Sequence, residues 1–116
     1  MQTETLRSWV VNAVDDMKGQ DVRVLDVTNL TSLTDCFVIV TGNSSRHVFA
    51  MAQSVEEQAR ALGIHCQIEG KNGSEWILLD LGDLVLHVMT QEMRDYYCLE
   101  KLWTSMTTET LEAAVA

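Results

Sequence analysis

Metal-assisted catalysis needs two or three carboxylates converging on one point, and the acids of this chain are not spaced to do that. Ile64-His65-Cys66-Gln67-Ile68-Glu69 holds one acid, Glu69, while Asp80 and Asp83 stand on either side of a turn. His47, His65 and His87 lie at spacings that suggest no shared metal. His87 sits in an apolar run, where it reads as a hydrogen-bonded structural residue or a pH-sensitive partner contact. Cys36, Cys66 and Cys98 fall roughly thirty residues apart with no Cys-x-x-Cys pair. The odd count argues against a complete disulfide framework and suits a reducing compartment, and Cys36 and Cys66 read as small buried hydrophobes. Asn43-Ser44-Ser45-Arg46 is a candidate anion site, because free backbone amides and the helix dipole meet at a helix start, but N-capping uses the same residues. No catalytic apparatus emerges, and neither a metal nor a cofactor is called for.

The elements that would position these residues follow from periodicity. Leu6, Trp9, Val10, Ala13, Val14 and Met17 recur at helical spacing behind a Thr3 cap, and Gly19 stops that helix. Val22 to Val27 is a β-branched strand, followed by a polar connection from Thr28 to Thr34. Cys36 to Thr41 is almost continuously apolar, as a central strand covered on both faces requires, and is read as the sheet centre. Val48, Met51, Ala52, Val55, Ala59 and Leu62 mark a second amphipathic helix ending at Gly63. Ile64 to Glu69 reads as a third strand, parallel to the second by the right-handed crossover rule. Turns at Gly70–Ser74 and Leu81-Gly82-Asp83 then set off strands Glu75 to Leu81 and Leu84 to Thr90. A third helix runs from about Glu92 to Trp103, with Leu99, Leu102 and Trp103 docking on the sheet. Residues 104–116 form a polar, Ala-rich tail expected to be poorly ordered. The chain is thus expected to be one α/β domain over residues 1–103, a mixed five-stranded β-sheet with about three helices.

Bulk properties exclude some classes of partner. The 116 residues are 47% apolar, enough for a single core. Eight basic against seventeen acidic residues give a net charge of -9, and the cations are scattered, so a nucleic-acid backbone is repelled and a basic protein partner is favoured. The start, Met1-Gln2-Thr3-Glu4, carries an acid where a signal peptide carries bases, and no apolar run reaches membrane-spanning length. A cytoplasmic protein is the expectation.

Several motifs in order carry a family resemblance. Asp26-Val27, then Thr34-Asp35-Cys36-Phe37-Val38-Ile39-Val40-Thr41-Gly42-Asn43-Ser44-Ser45-Arg46-His47-Val48, then Glu69-Gly70, Glu75-Trp76-Ile77-Leu78-Leu79-Asp80, Gly82-Asp83, His87-Val88 and Tyr97-Cys98-Leu99-Glu100-Lys101-Leu102-Trp103 together resemble the ribosomal silencing factor family, also called Iojap. The resemblance spans nearly everything from the first helix to Trp103. It implies a non-enzymatic factor that binds large-subunit ribosomal protein fourteen and prevents small-subunit joining when nutrients are scarce. Little direct nucleic-acid contact is expected.

A contact surface can be sought on the fourth strand, where Trp76, Leu78 and Asp80 share one face and Ile77, Leu79 and Leu81 the other. Both faces are largely apolar although helices need cover only one. Trp76 and Leu78, rimmed by Glu69, Glu75 and Asp80, fit an interface with an apolar centre and acidic rim, and burial of Trp76 under a helix is the competing reading. The resemblance favours the interface. Arg94 and Asp95 could hydrogen-bond a partner or form a local ion pair, and of Tyr96 and Tyr97 one packs while the other, taken as Tyr97, faces the partner. The expected partner-binding set is therefore Glu69, Trp76, Leu78, Asp80, His87, Arg94, Asp95 and Tyr97. Two rival functions stand beside it. The element order and the Gly-Asn-Ser turn resemble the nucleotidyltransferase-like fold, whose active members need paired acids that this chain lacks after its second helix. An apolar sheet face could also make the protein a homodimeric adaptor.

Overall fold

The computed structural model describes residues 3–26, 34–70 and 73–97. Its elements are α1 (Thr3–Asp16), β1 (Gln20–Asp26), β2 (Cys36–Gly42), α2 (Ser45–Ala61), β3 (Gln67–Glu69), β4 (Trp76–Asp80), β5 (Leu84–Thr90) and α3 (Gln91–Tyr97). The connection before Thr34, the helix beyond Tyr97, Cys98 and the tail lie outside the described residues, as do the side chains of Thr3, Tyr96 and Tyr97, on which the expected cap and the expected packing and partner roles depend.

The five strands form one mixed sheet in the order β1-β2-β5-β4-β3. β2 and β5 are parallel neighbours, and the other pairs are antiparallel. Both β2 and β5 are buried along their whole length. Their nearly continuous apolar runs therefore correspond to strands covered on both faces. β5 takes the middle place that the sequence suggested for β2. The third strand is shorter than expected and occupies the far edge. It runs in the same direction as β2, but β5 and β4 lie between the two, so the crossover through α2 spans two strands instead of joining neighbours.

The shortening of β3 has a local cause. After α2 the backbone turns left-handed at Gly63, with φ of 72°. Gly63 N–H then donates to Arg60 O and Ile64 N–H to Ala59 O, a Schellman closure that ties Ile64 to the helix end. The same closure leaves Leu62, expected in the buried stripe, 55% exposed at the C-cap.

α1 and α2 pack on one face of the sheet. Their buried stripes, Leu6, Val10, Ala13 and Val14 from α1 and Val48, Met51, Ala52, Val55 and Ala59 from α2, close over Cys36, Val38, Val40, Ile77, Leu79, Leu84, Leu86 and Val88. A second, smaller cluster lies on the opposite face, with Phe37, Ile39, Val85 and Met89 buried and Leu25, Trp76, Leu78 and Met93 packed around them. Ser44 caps α2 by accepting from His47 N–H at 3.2 Å. His47 also joins the two helices: its Nδ1 accepts from Asn43 N–H at 2.9 Å and its Nε2 lies 2.7 Å from Met17 O. With Nδ1 accepting, the neutral ring carries its proton on Nε2 and donates it to that carbonyl.

Gly19, just beyond α1, faces the α1–α2 core. A Cβ there would lie 2.4 Å from Val40 Cγ2, 3.0 Å from Val14 O and 3.1 Å from Met51 Sδ. Gly19→Ala is therefore expected to overpack a buried junction and cost roughly 1–3 kcal/mol in urea denaturation. A midpoint equal to that of the parent protein would contradict this packing.

Candidate partner-binding site

β4 alternates between half-buried and buried positions because its two faces meet different surroundings. Ile77 and Leu79 enter the helix-covered core, whereas Trp76, Leu78 and Asp80 lie on the opposite face. The strand register places Glu69 beside Leu78 and Gln67 beside Asp80. Glu69, Gly70, Trp76 and Leu78 line a shallow, open depression of about 290 Å³. The expected apolar centre with an adjacent carboxylate is thus present on this face, and Trp76 does not lie under α1 or α2.

The patch rests on a firm base. Trp76 Nε1–H donates to His87 Nδ1 at 3.2 Å. His87 is fully buried and meets Phe37 edge-on, with ring centroids 4.8 Å apart. Burial pushes its pKa down to about 3, so the imidazole is neutral at physiological pH. This corrects the expectation of a direct partner contact at His87: its side chain has no exposed surface. Its link to Trp76 was nevertheless legible. Counting outward from the turn between Leu81 and Leu84 puts Leu78 opposite His87, with Trp76 diagonally across.

Two acids differ from their expected roles. Asp80 Oδ1 accepts from Gly82 N–H at 2.9 Å, closing the β4–β5 turn where Gly82 takes a φ of 87°. Glu75 opens instead on a separate polar pocket of about 450 Å³ at the C-terminal ends of β2 and β5, with Asn43, Ser44, Ser45 and Glu92. That pocket contains the candidate anion site. Ser44 is used there as a helix cap, and Glu75 and Glu92 oppose a negative ligand.

Arg94 is also corrected. It is only 4% exposed, and its guanidinium is used inside the fold: Nη1 donates to Asp21 O and, at 2.8 Å, to Thr41 Oγ1, while Nη2 lies 3.6 Å from Asp21 Oδ2. Asp21 has a positive φ of 48°, and its carbonyl receives this charged donor. Arg94 thereby ties α3 to the ends of β1 and β2. Arg94→Met should leave these acceptors, Thr41 Oγ1 above all, without their donor and cost roughly 1–3 kcal/mol. Urea denaturation showing no loss would contradict that clamp. Asp95 is exposed on α3, where its Oδ1 accepts from Gln91 Nε2 at 2.8 Å.

Among the described residues, no group of three or more His, Cys, Asp or Glu side chains is placed to hold a metal ion. Asp80 faces the open side of the sheet, while Asp83 lines a different groove with Leu6, Leu62 and Leu81. Burial raises both described thiols, that of Cys66 to about 11, which disfavours the nucleophilic thiolate. The arrangement presents an aromatic and aliphatic surface beside the Glu69 carboxylate.

Comparison with known proteins gives a consistent family. Residues 1–116 match the family described as ribosomal silencing factor during starvation. The chain is 39% identical over 104 residues to the ribosomal silencing factor RsfS of Chromobacterium violaceum, covering 89% of this chain and 85% of that protein. It is 38% identical over 117 residues to RsfS of Halalkalibacterium halodurans, covering all of both chains. A crystal structure of a Chromobacterium violaceum protein superposes with a TM-score of 0.86 at 39% identity, covering 90% of this chain and 88% of that one.

Proposed function

Because the chain belongs to the ribosomal silencing factor family, we propose that it binds the large ribosomal subunit through ribosomal protein fourteen and keeps the small subunit from joining. The observation that carries this reading is the Trp76–Leu78 patch beside Glu69, held on a sheet face away from α1 and α2. A tryptophan among aliphatic neighbours supplies an anchor of the kind that dominates protein interfaces. The net charge of -9 steers the domain toward a basic protein and disfavours docking on ribosomal RNA.

Inhibition in this proposal is steric. A domain of 13.0 kDa occupying the joining surface needs affinity and no chemical step, so the protein acts as a regulator and not as an enzyme. We place it in the cytoplasm, with damping of translation under nutrient limitation as its role. Glu69, Trp76 and Leu78 form the centre of the proposed contact, with Asp80 beside them on the same strand face. A mouse relative, 35% identical over 99 residues, is named for mitochondrial assembly of the ribosomal large subunit, which agrees with a large-subunit partner.

Co-sedimentation with isolated subunits tests this reading. The domain should pellet with large subunits and stay in solution with small ones. Failure to bind large subunits at physiological salt would overturn it. So would gel filtration showing a tight dimer that Trp76→Ala dissociates while large-subunit binding persists, since the patch would then be a self-interface.

A further inference from the structure

We propose that His87 is a positioning residue for the partner contact, acting through Trp76: its Nδ1 holds the indole N–H and fixes the ring in the orientation the partner meets. The inference rests on the reading that Trp76 contacts the large subunit. The hydrogen bond is 3.2 Å and joins a half-buried side chain to a fully buried one. The two rings lie 5.9 Å apart and tilted at 41°. Phe37 meets the imidazole edge-on from the adjacent strand, so His87 is itself held from β2.

Stability gives little reason for a histidine here. With Nδ1 accepting, the neutral ring carries its proton on Nε2, and that atom is buried without a hydrogen-bond partner among the described residues. A buried donor left unpaired is unfavourable, and an aliphatic side chain would avoid it. What a histidine provides is an acceptor for Trp76. A tryptophan held in one rotamer loses less freedom on docking than one that must be ordered by the partner.

The test compares His87→Leu, which removes the acceptor, with His87→Asn, whose Oδ1 takes the place of Nδ1. Each is made in the parent and in a Trp76→Phe background. Thermal unfolding and co-sedimentation with large subunits are the readouts. His87→Leu should unfold no earlier than the parent yet bind about tenfold more weakly, the scale of one lost net hydrogen bond. His87→Asn should recover most of that affinity, and in the Trp76→Phe background the Leu substitution should have no further effect. Parent-like binding by His87→Leu would overturn the proposal. Equal loss in the Leu and Asn variants would do the same, as would failure of His87→Leu to fold, because the histidine would then be required for folding itself. Failure of the parent protein to bind would instead remove the reading on which the proposal rests.

Discussion

Trp76→Ala is expected to weaken large-subunit binding at least about thirtyfold, the effect of losing an interface hot spot worth about 2 kcal/mol or more. The ring is half-buried, rests beside Leu78 and is held at its N–H by His87. Truncation should therefore cost less stability than the roughly 3–5 kcal/mol typical of a core tryptophan. The helix-covered core on the other side of the sheet, which includes Ile77 and Leu79 of the same strand, stays intact. Circular dichroism should show a folded variant, and co-sedimentation should show the lost affinity. A folded Trp76→Ala protein binding as tightly as the parent would separate this surface from the ribosome.

The second large effect is acid sensitivity arising from His87. Burial lowers its pKa from the ordinary histidine value of about 6.5 to about 3. The unfolded chain therefore takes up a proton as pH falls below about 6.5, while the folded protein does not until about 3. Over that window the unfolded state binds more protons, so stability is complete above it and declines as pH drops. The expected slope from this group approaches about 1.4 kcal/mol per pH unit, and its full contribution is on the order of 4–5 kcal/mol. That is a large share of a small domain's total stability. Urea midpoints measured between pH 7 and pH 4 should fall steadily, and His87→Leu should flatten the decline. An unchanged pH profile in that variant would show that other groups cause the acid loss.

The elements differ in how far local sequence determines them. β5 was assigned from Leu84 to Thr90 as observed, because a continuous apolar run bounded by a Gly-Asp turn and a helix start leaves little choice. β4 differed only at its ends, since strict alternation defines which residues share a face. The place of β3 was harder: hairpin turns specify neighbours in sequence, whereas insertion of β4 and β5 between β2 and β3 is a tertiary outcome. Ile64 looked like strand residue and is instead tied to the end of α2 by the Schellman closure.

The same distinction governs the candidate site. Trp76, Leu78 and Glu69 were assembled correctly on one face because hairpin pairing makes their relation local. Arg94 was misread as surface-facing because an arginine in a helix is ordinarily solvated. Its partners are Asp21 O, 73 residues away, and Thr41 Oγ1, 53 residues away, and no spacing rule links them. His87 stands between these cases: hairpin pairing sets it opposite Leu78 and diagonal to Trp76, but its complete burial depends on the second cluster around Phe37.

Subunit joining tests the central proposal most directly. Isolated large and small subunits would be mixed after pre-incubating the large subunit with either the parent protein or Trp76→Ala, and joined ribosomes followed by light scattering. The account predicts dose-dependent loss of joined ribosomes with the parent and little loss with Trp76→Ala at the same concentration. Normal joining at saturating parent protein, or equal inhibition by a folded Trp76→Ala variant, would contradict it.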